Sequence, residues 1–115
     1  MILSIRIAAL SLSLAVSAAW AEAVPQPVTP INDVQRGSMV TIEGTVERIL
    51  DTDEFRLRDA TGRIRVDVGY PNFVPVAVGE TVRVVGFVDR DLFKEIYARE
   101  IIHADGRVSF LQKRY

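Results

Sequence analysis

Cysteine is absent from all 115 residues of this chain. With it go disulfide cross-links, thiol nucleophiles and any lipid anchor attached through a cysteine. Histidine occurs once, at His103, and beyond the first 21 residues serine occurs only at Ser38 and Ser109. These parts do not assemble a nucleophilic triad, and His103 reads as a solvated residue at a strand end. No sign of charge dominates either, with 14 basic and 15 acidic residues. A dedicated polyanion binder normally carries a strong basic excess, so any anionic site here must be local.

The one long apolar run stands at the head of the chain. Residues 7–16 are Ala, Leu, Ile, Val and Ser, preceded by Arg6 and followed by the small-x-small sequence Ala19-Trp20-Ala21 ahead of Glu22. The run is short of the roughly 20 residues that a membrane span needs. Residues 1–21 therefore read as a secretory signal peptide cut after Ala21, leaving an exported chain with no membrane span. The remaining 94 residues lose only Arg6 from the basic count, and so hold 13 basic residues against 15 acidic for a net charge of −2. That length buries somewhat over about 60% of the unfolded surface, enough for one core held by apolar packing alone.

Residues 22–30 hold three prolines and read as an extended leader. Ile31 and Val34 ahead of Gly37 fit a short helix that lids the core. From residue 38 the pattern becomes that of strands. Over residues 38–50, Val40, Ile42 and Val46 point inward and Thr41, Glu43 and Glu47 outward, while Gly44 marks a sharp bend that lets one strand serve two sides of a barrel. Residues 69–79 carry Pro71 and Pro75, which predicts an irregular connector whose Phe73 or Val76 plugs the barrel end. Residues 80–89 resume the alternation, with Val82, Val84 and Val88 inward. Along residues 95–102, Ile96 and Ala98 face in, and the phase must slip near Glu100 to bury Ile101, as a bulge would allow. Residues 104–115 form an appendix in which residues 108–111 can make an edge strand.

The centre of the pattern is a hairpin. Phe55 and Leu57 alternate with Arg56 and Arg58, the chain turns at Asp59-Ala60-Thr61-Gly62, and Ile64, Val66 and Val68 alternate with Arg63, Arg65 and Asp67. An even-numbered turn keeps the apolar residues on one face. The expected register sets Leu57 opposite Val66, Arg58 opposite Arg65 and Arg56 opposite Asp67. Arg56, Arg58, Arg63 and Arg65 then share the wet face. Guanidinium groups bind carboxylate and phosphate bidentately, so these four are the candidate ligand-binding residues. Asp51 and Asp53 in one loop, with Asp89 and Asp91 in another, flank one barrel face and are candidates for a cationic partner or a cation. Asp-x-Asp-Glu at residues 51–54 lacks the glycine and distant glutamate of a proper calcium loop, and no metal ligand set is assigned. The arginine face interleaves no aromatics for base stacking, which argues against nucleic acid.

Three strands in a meander, a crossover and a hairpin, with a glycine-bent first strand, give an all-β fold: a five-stranded OB-fold Greek-key barrel over residues 31–103, with a short N-terminal helix. Val40-Thr41-Ile42-Glu43-Gly44-Thr45-Val46, the stretch from Arg58 through Asp59-Ala60-Thr61-Gly62 to Val68, and Val84-Val85-Gly86-Phe87-Val88-Asp89-Arg90-Asp91 resemble the bacterial OB-fold family of exported stress-tolerance proteins, the YgiW/YdeI type. The resemblance implies a monomeric periplasmic barrel without enzymatic activity or cofactor. It implies binding to a small molecule or an envelope component during stress, and supplies no site residues.

Overall fold

In a computed structural model, residues 27–91 and 94–111 are described. The expected signal peptide, the first part of the leader and Lys113-Arg114-Tyr115 lie outside them. Six strands run as β1 (Met39–Asp51), β2 (Glu54–Arg58), β3 (Arg63–Asp67), β4 (Thr81–Val88), β5 (Glu95–His103) and β6 (Val108–Phe110). Their order is β3-β2-β1-β4-β5-β6, and a parallel pairing of β3 with β5 closes the first five into a barrel. β6 extends the sheet antiparallel to β5, so the edge strand expected in the appendix forms over Val108–Phe110.

Closure depends on β1. Its first half pairs with β4 from Met39 to Thr45, its second half with β2 from Thr45 to Asp51, and Thr45 meets partners in both. The strand bends at Gly44, where a Cβ would fall on the Arg58 carbonyl oxygen. Gly86 solves the same problem on β4, where a Cβ would meet the Tyr97 carbonyl oxygen. Beside it the β4–β5 ladder skips a residue: Val85 pairs with Glu100 and Gly86 with Ala98, so Arg99 is the bulged residue. The bulge restores the phase and buries Ile101.

The core holds Ile42, Val46, Phe55, Leu57, Ile64, Val66, Val82, Val84, Val88, Ile96 and Ile101. Each is an inward member of a period-two strand. Fully burying one such large side chain contributes about 1.5–3 kcal/mol, which is what holds a barrel without cross-links.

The short N-terminal helix is one 3-10 turn, Ile31–Asp33, with Ile31 and Val34 buried as expected. Of the two residues expected to plug the barrel end, Val76 packs on the core, as does Val74, while Phe73 is 75% exposed. Three expectations are corrected. Thr41 is buried rather than outward, on the stretch of β1 whose backbone accepts a hydrogen bond from the leader at Thr29. His103 is 2% exposed, not solvated. The hairpin register differs by two residues: Phe55 faces Val66, Leu57 faces Ile64, Arg56 faces Arg65 and Arg58 faces Arg63.

The register follows from Asp59. Its carboxylate accepts bonds from the Thr61 and Gly62 amides and the Thr61 hydroxyl, and its own amide donates to the Gly62 carbonyl. This Asx-type turn takes all four residues between Arg58 and Arg63 into the loop, where a tighter turn would have used two.

Candidate functional site

Outward side chains of a sheet line up in rows across the strands. Here the rows sort by charge. One reads Arg48, Arg56, Arg65 and Glu95 across β1, β2, β3 and β5. A second, two residues along, reads Thr45, Arg58 and Arg63. On the other side of the first lies an acidic row, Asp51, Glu54 and Asp67, ending at Tyr97. The expected arginine apposition thus occurs twice, as Arg56 with Arg65 and Arg58 with Arg63. Like charges directly opposite cost stability, so neither pair is explained by the sheet alone.

Glu47 offsets part of that cost. Arg56 Nε donates to it at 3.2 Å, and Arg63 lies 3.7 Å from its other carboxylate oxygen. Among the described residues, no carboxylate lies within ion-pair distance of Arg58 or Arg65.

Arg56, Arg63 and Arg65 converge with Lys94, Glu95, Leu50 and Ile64 on a groove of about 260 Å³. Leu50 lies next to the end of β1, Arg56 on β2, Arg63, Ile64 and Arg65 on β3, and Lys94 leads into Glu95 at the start of β5, so the walls come from the second and third strands and the two strands that flank them. Lys94 Nζ is steadied by donating to the Val34 carbonyl at 3.0 Å. Arg58 does not line the groove. Lys94 and Glu95 were missed in the sequence because only the parallel closure of β3 on β5 brings them beside the arginines, and Leu50 because it is the residue skipped in the β1–β2 ladder.

The acidic candidates divide. Asp51 and Asp53 come together with Glu54, and Glu54 also meets Asp67 and Glu95, each group bringing carboxylate oxygens within 4.8 Å of one another, close enough to hold a cation. Burial pushes the Glu54, Asp67 and Glu95 carboxyls above their ordinary range, and neighbouring carboxylates add to it against the pull of Arg65 on the first two. Asp89 and Asp91 belong to neither group. The Asp91 amide, donating to Asp89, holds that carboxyl below its usual range. Tyr97 links the two regions, its hydroxyl donating to Asp89 at 3.0 Å and lying 3.2 Å from Glu95.

His103 joins a different assembly. Its Nδ1–H donates to the Glu80 carboxylate, and its Nε2 shares a hydrogen bond with the Ser109 hydroxyl at 2.9 Å. Ser, His and acid meet after all, in the bonding order of a triad. The imidazole is sealed in the interior, however, and the chain works as a latch that ties β6 and the end of β5 to the start of β4.

A closed five-stranded barrel with a charged groove on its second and third strands defines an OB-fold binding architecture. The chain belongs to the bacterial OB fold (BOF) family, whose model matches residues 17–103. It is 36% identical over 55 residues to the calcium-regulated OB-fold protein CarO of Pseudomonas aeruginosa, a match covering 46% of this chain and 47% of that one. The match thus spans about half the length of that curated relative. Among solved structures, the hypothetical protein ygiW from E. coli superposes with a TM-score of 0.57 at 28% identity, covering 67% of this chain and 89% of that chain. The family match ends at His103, so β6 and Ser109 lie beyond it.

Proposed function

We propose that this chain is an exported, periplasmic, non-enzymatic binding module whose groove holds an anionic small molecule or envelope component, in the service of stress tolerance. The observation that carries the reading is the convergence of Arg56, Arg63, Arg65 and Lys94 on one concavity, where two strands set like charges face to face. A bound anion would repay that repulsion. Amide chemical-shift titration with a panel of soluble envelope anions at low salt tests it. Shifts confined to β2, β3 and the start of β5, abolished by Arg56→Glu with Arg65→Glu, are expected. Shifts that survive the double substitution would remove the groove from consideration.

A second reading is favoured by the Asp51, Glu54 and Asp67 row, which offers an unbroken acidic edge to a cationic envelope protein partner. Salt-sensitive capture of a cationic peptide, lost on reversing Asp51 and Asp53 but kept on reversing the arginines, would favour it.

A further inference from the structure

We propose that the anion held in the groove is a non-aromatic phosphomonoester in its dianionic form; this rests on the anion-binding reading above. The charge balance is the first reason. Four cations line the groove, one carboxylate, Glu95, lines it with them, and Glu47 is paired to Arg56 and Arg63 from outside. Counting only these groups, four positive against two negative leave a surplus of two on the lining, which a phosphate carrying about −1.5 to −2 near neutral pH matches and a single carboxylate does not; Glu54 and Asp67, whose carboxylates reach Glu95, stand in the neighbouring acidic row.

Geometry is the second reason. Arg56 and Arg65 face each other across β2 and β3, and Arg63 stands two residues from Arg65 on the same face. Sheet geometry puts facing side chains about 5 Å apart and next-but-one neighbours about 7 Å apart. Three guanidinium groups on such a triangle can each address one oxygen of a tetrahedral phosphate, whereas a planar carboxylate has two oxygens to offer.

The surroundings narrow the remainder of the ligand. The groove lies just under the roughly 300–1,000 Å³ typical of drug-sized ligands, so it admits a small substituent such as one sugar ring. Leu50 and Ile64 supply its apolar wall, and among the described residues no aromatic side chain lines it, so these residues offer no stacking platform for a nucleobase. One step along the strands the acidic row of Asp51, Glu54 and Asp67 repels a polyanionic chain, leaving room for one phosphate group.

Calorimetric titration of the mature chain with glucose 6-phosphate, glucuronate and AMP at low salt tests this, with circular dichroism to verify that each variant is folded. Glucose 6-phosphate is expected to bind at least about tenfold more tightly than glucuronate. The ratio of its affinity to that of glucuronate should rise by about tenfold from pH 5 to pH 7.5 as the second phosphate proton leaves, since proton loss from Glu54, Asp67 and Glu95, which face the groove or adjoin Glu95, acts on both ligands alike. Arg65→Gln and Arg56→Gln should each cost about tenfold or more. Vesicles of phosphatidic acid in phosphatidylcholine, set against phosphatidylglycerol vesicles, distinguish a lipid-borne phosphomonoester from a soluble one, and binding in either form supports the proposal. Glucuronate binding as well as glucose 6-phosphate, with both lost in Arg65→Gln, would overturn the phosphate assignment and leave the anion reading standing. Equal or tighter binding of AMP would overturn the non-aromatic restriction. Failure of every anion and vesicle at low salt would overturn both proposals.

Discussion

Removing the acceptor from His103 tests whether the buried Glu80–His103–Ser109 chain is a structural latch. The His103 side chain is 3% exposed and that of Glu80 27%, so in Glu80→Ala the imidazole Nδ1–H loses its partner where water has little access. A buried donor left unsatisfied costs about 1–3 kcal/mol. The other Glu80 oxygen also accepts the Ala77 amide at 3.1 Å, at an exposed position where water can substitute. Most of the loss therefore falls on the histidine, and about 2 kcal/mol is expected, or roughly 8–16 °C in Tm for a domain of this size. Ser109→Ala should cost less, about 1 kcal/mol, because a more exposed hydroxyl is lost. The two changes share one imidazole, so together they should depart from additivity by at least about 0.5 kcal/mol. Urea unfolding of the wild type and the three variants, followed by circular dichroism, measures all of this. A Glu80→Ala loss under about 0.5 kcal/mol, or strict additivity, would refute the latch.

Gly44→Ala drives a methyl into the Arg58 carbonyl and should cost about 1–3 kcal/mol by urea unfolding, whereas an unchanged midpoint would contradict the tight crossing of β1 over β2. Arg58→Glu replaces a facing pair of like charges with an opposite one. It should stabilise by about 0.2–1 kcal/mol at low salt, a gain that 1 M salt erases in the same assay. The pH dependence has two limbs. Glu54, Asp67 and Glu95 have carboxyls raised above their ordinary 4.5, 3.8 and 4.5, so their contribution grows as pH falls from neutral through the range just above those values. Asp59 and Asp89 are held below 3.8, and their contribution is lost as pH falls below that value. Thermal melts should therefore peak in mildly acidic buffer, and a Tm that falls steadily from pH 7 to pH 4 would refute this balance.

The barrel was legible because its strands alternate cleanly and its two bends fall on glycines. Val82, Val84 and Val88 show one face of β4 at sight, and the slip at Arg99 was required by the need to bury Ile101. The hairpin register was not legible from alternation, since two even-numbered turns give the same inward face. What separates them is the Asp59 carboxylate, and Asp-x-Thr-Gly was the signal for that cap. The groove was half legible: three of its arginines stand in the pattern, while Lys94 and Glu95 enter through a pairing between strands about 30 residues apart. His103 escaped because its partners are far from it in the fold's connectivity, Glu80 just ahead of β4 and Ser109 on β6, and a lone histidine near a strand end carries no mark of what closes over it.

Asp59 does more than shape its own turn. Burial opposes its ionisation, but bonds from the Thr61 hydroxyl and from the Ile31, Thr61 and Gly62 amides hold its carboxyl below the ordinary range. The Ile31 amide reaches it from across the molecule, at the point where the leader enters the barrel, and Asn32 adds a bond to the Thr61 hydroxyl. One carboxylate thus fixes both where the chain enters the barrel and how far the two arms of the hairpin that carries Arg58 and Arg63 run before they turn, so losing it would loosen the entry and the turn together.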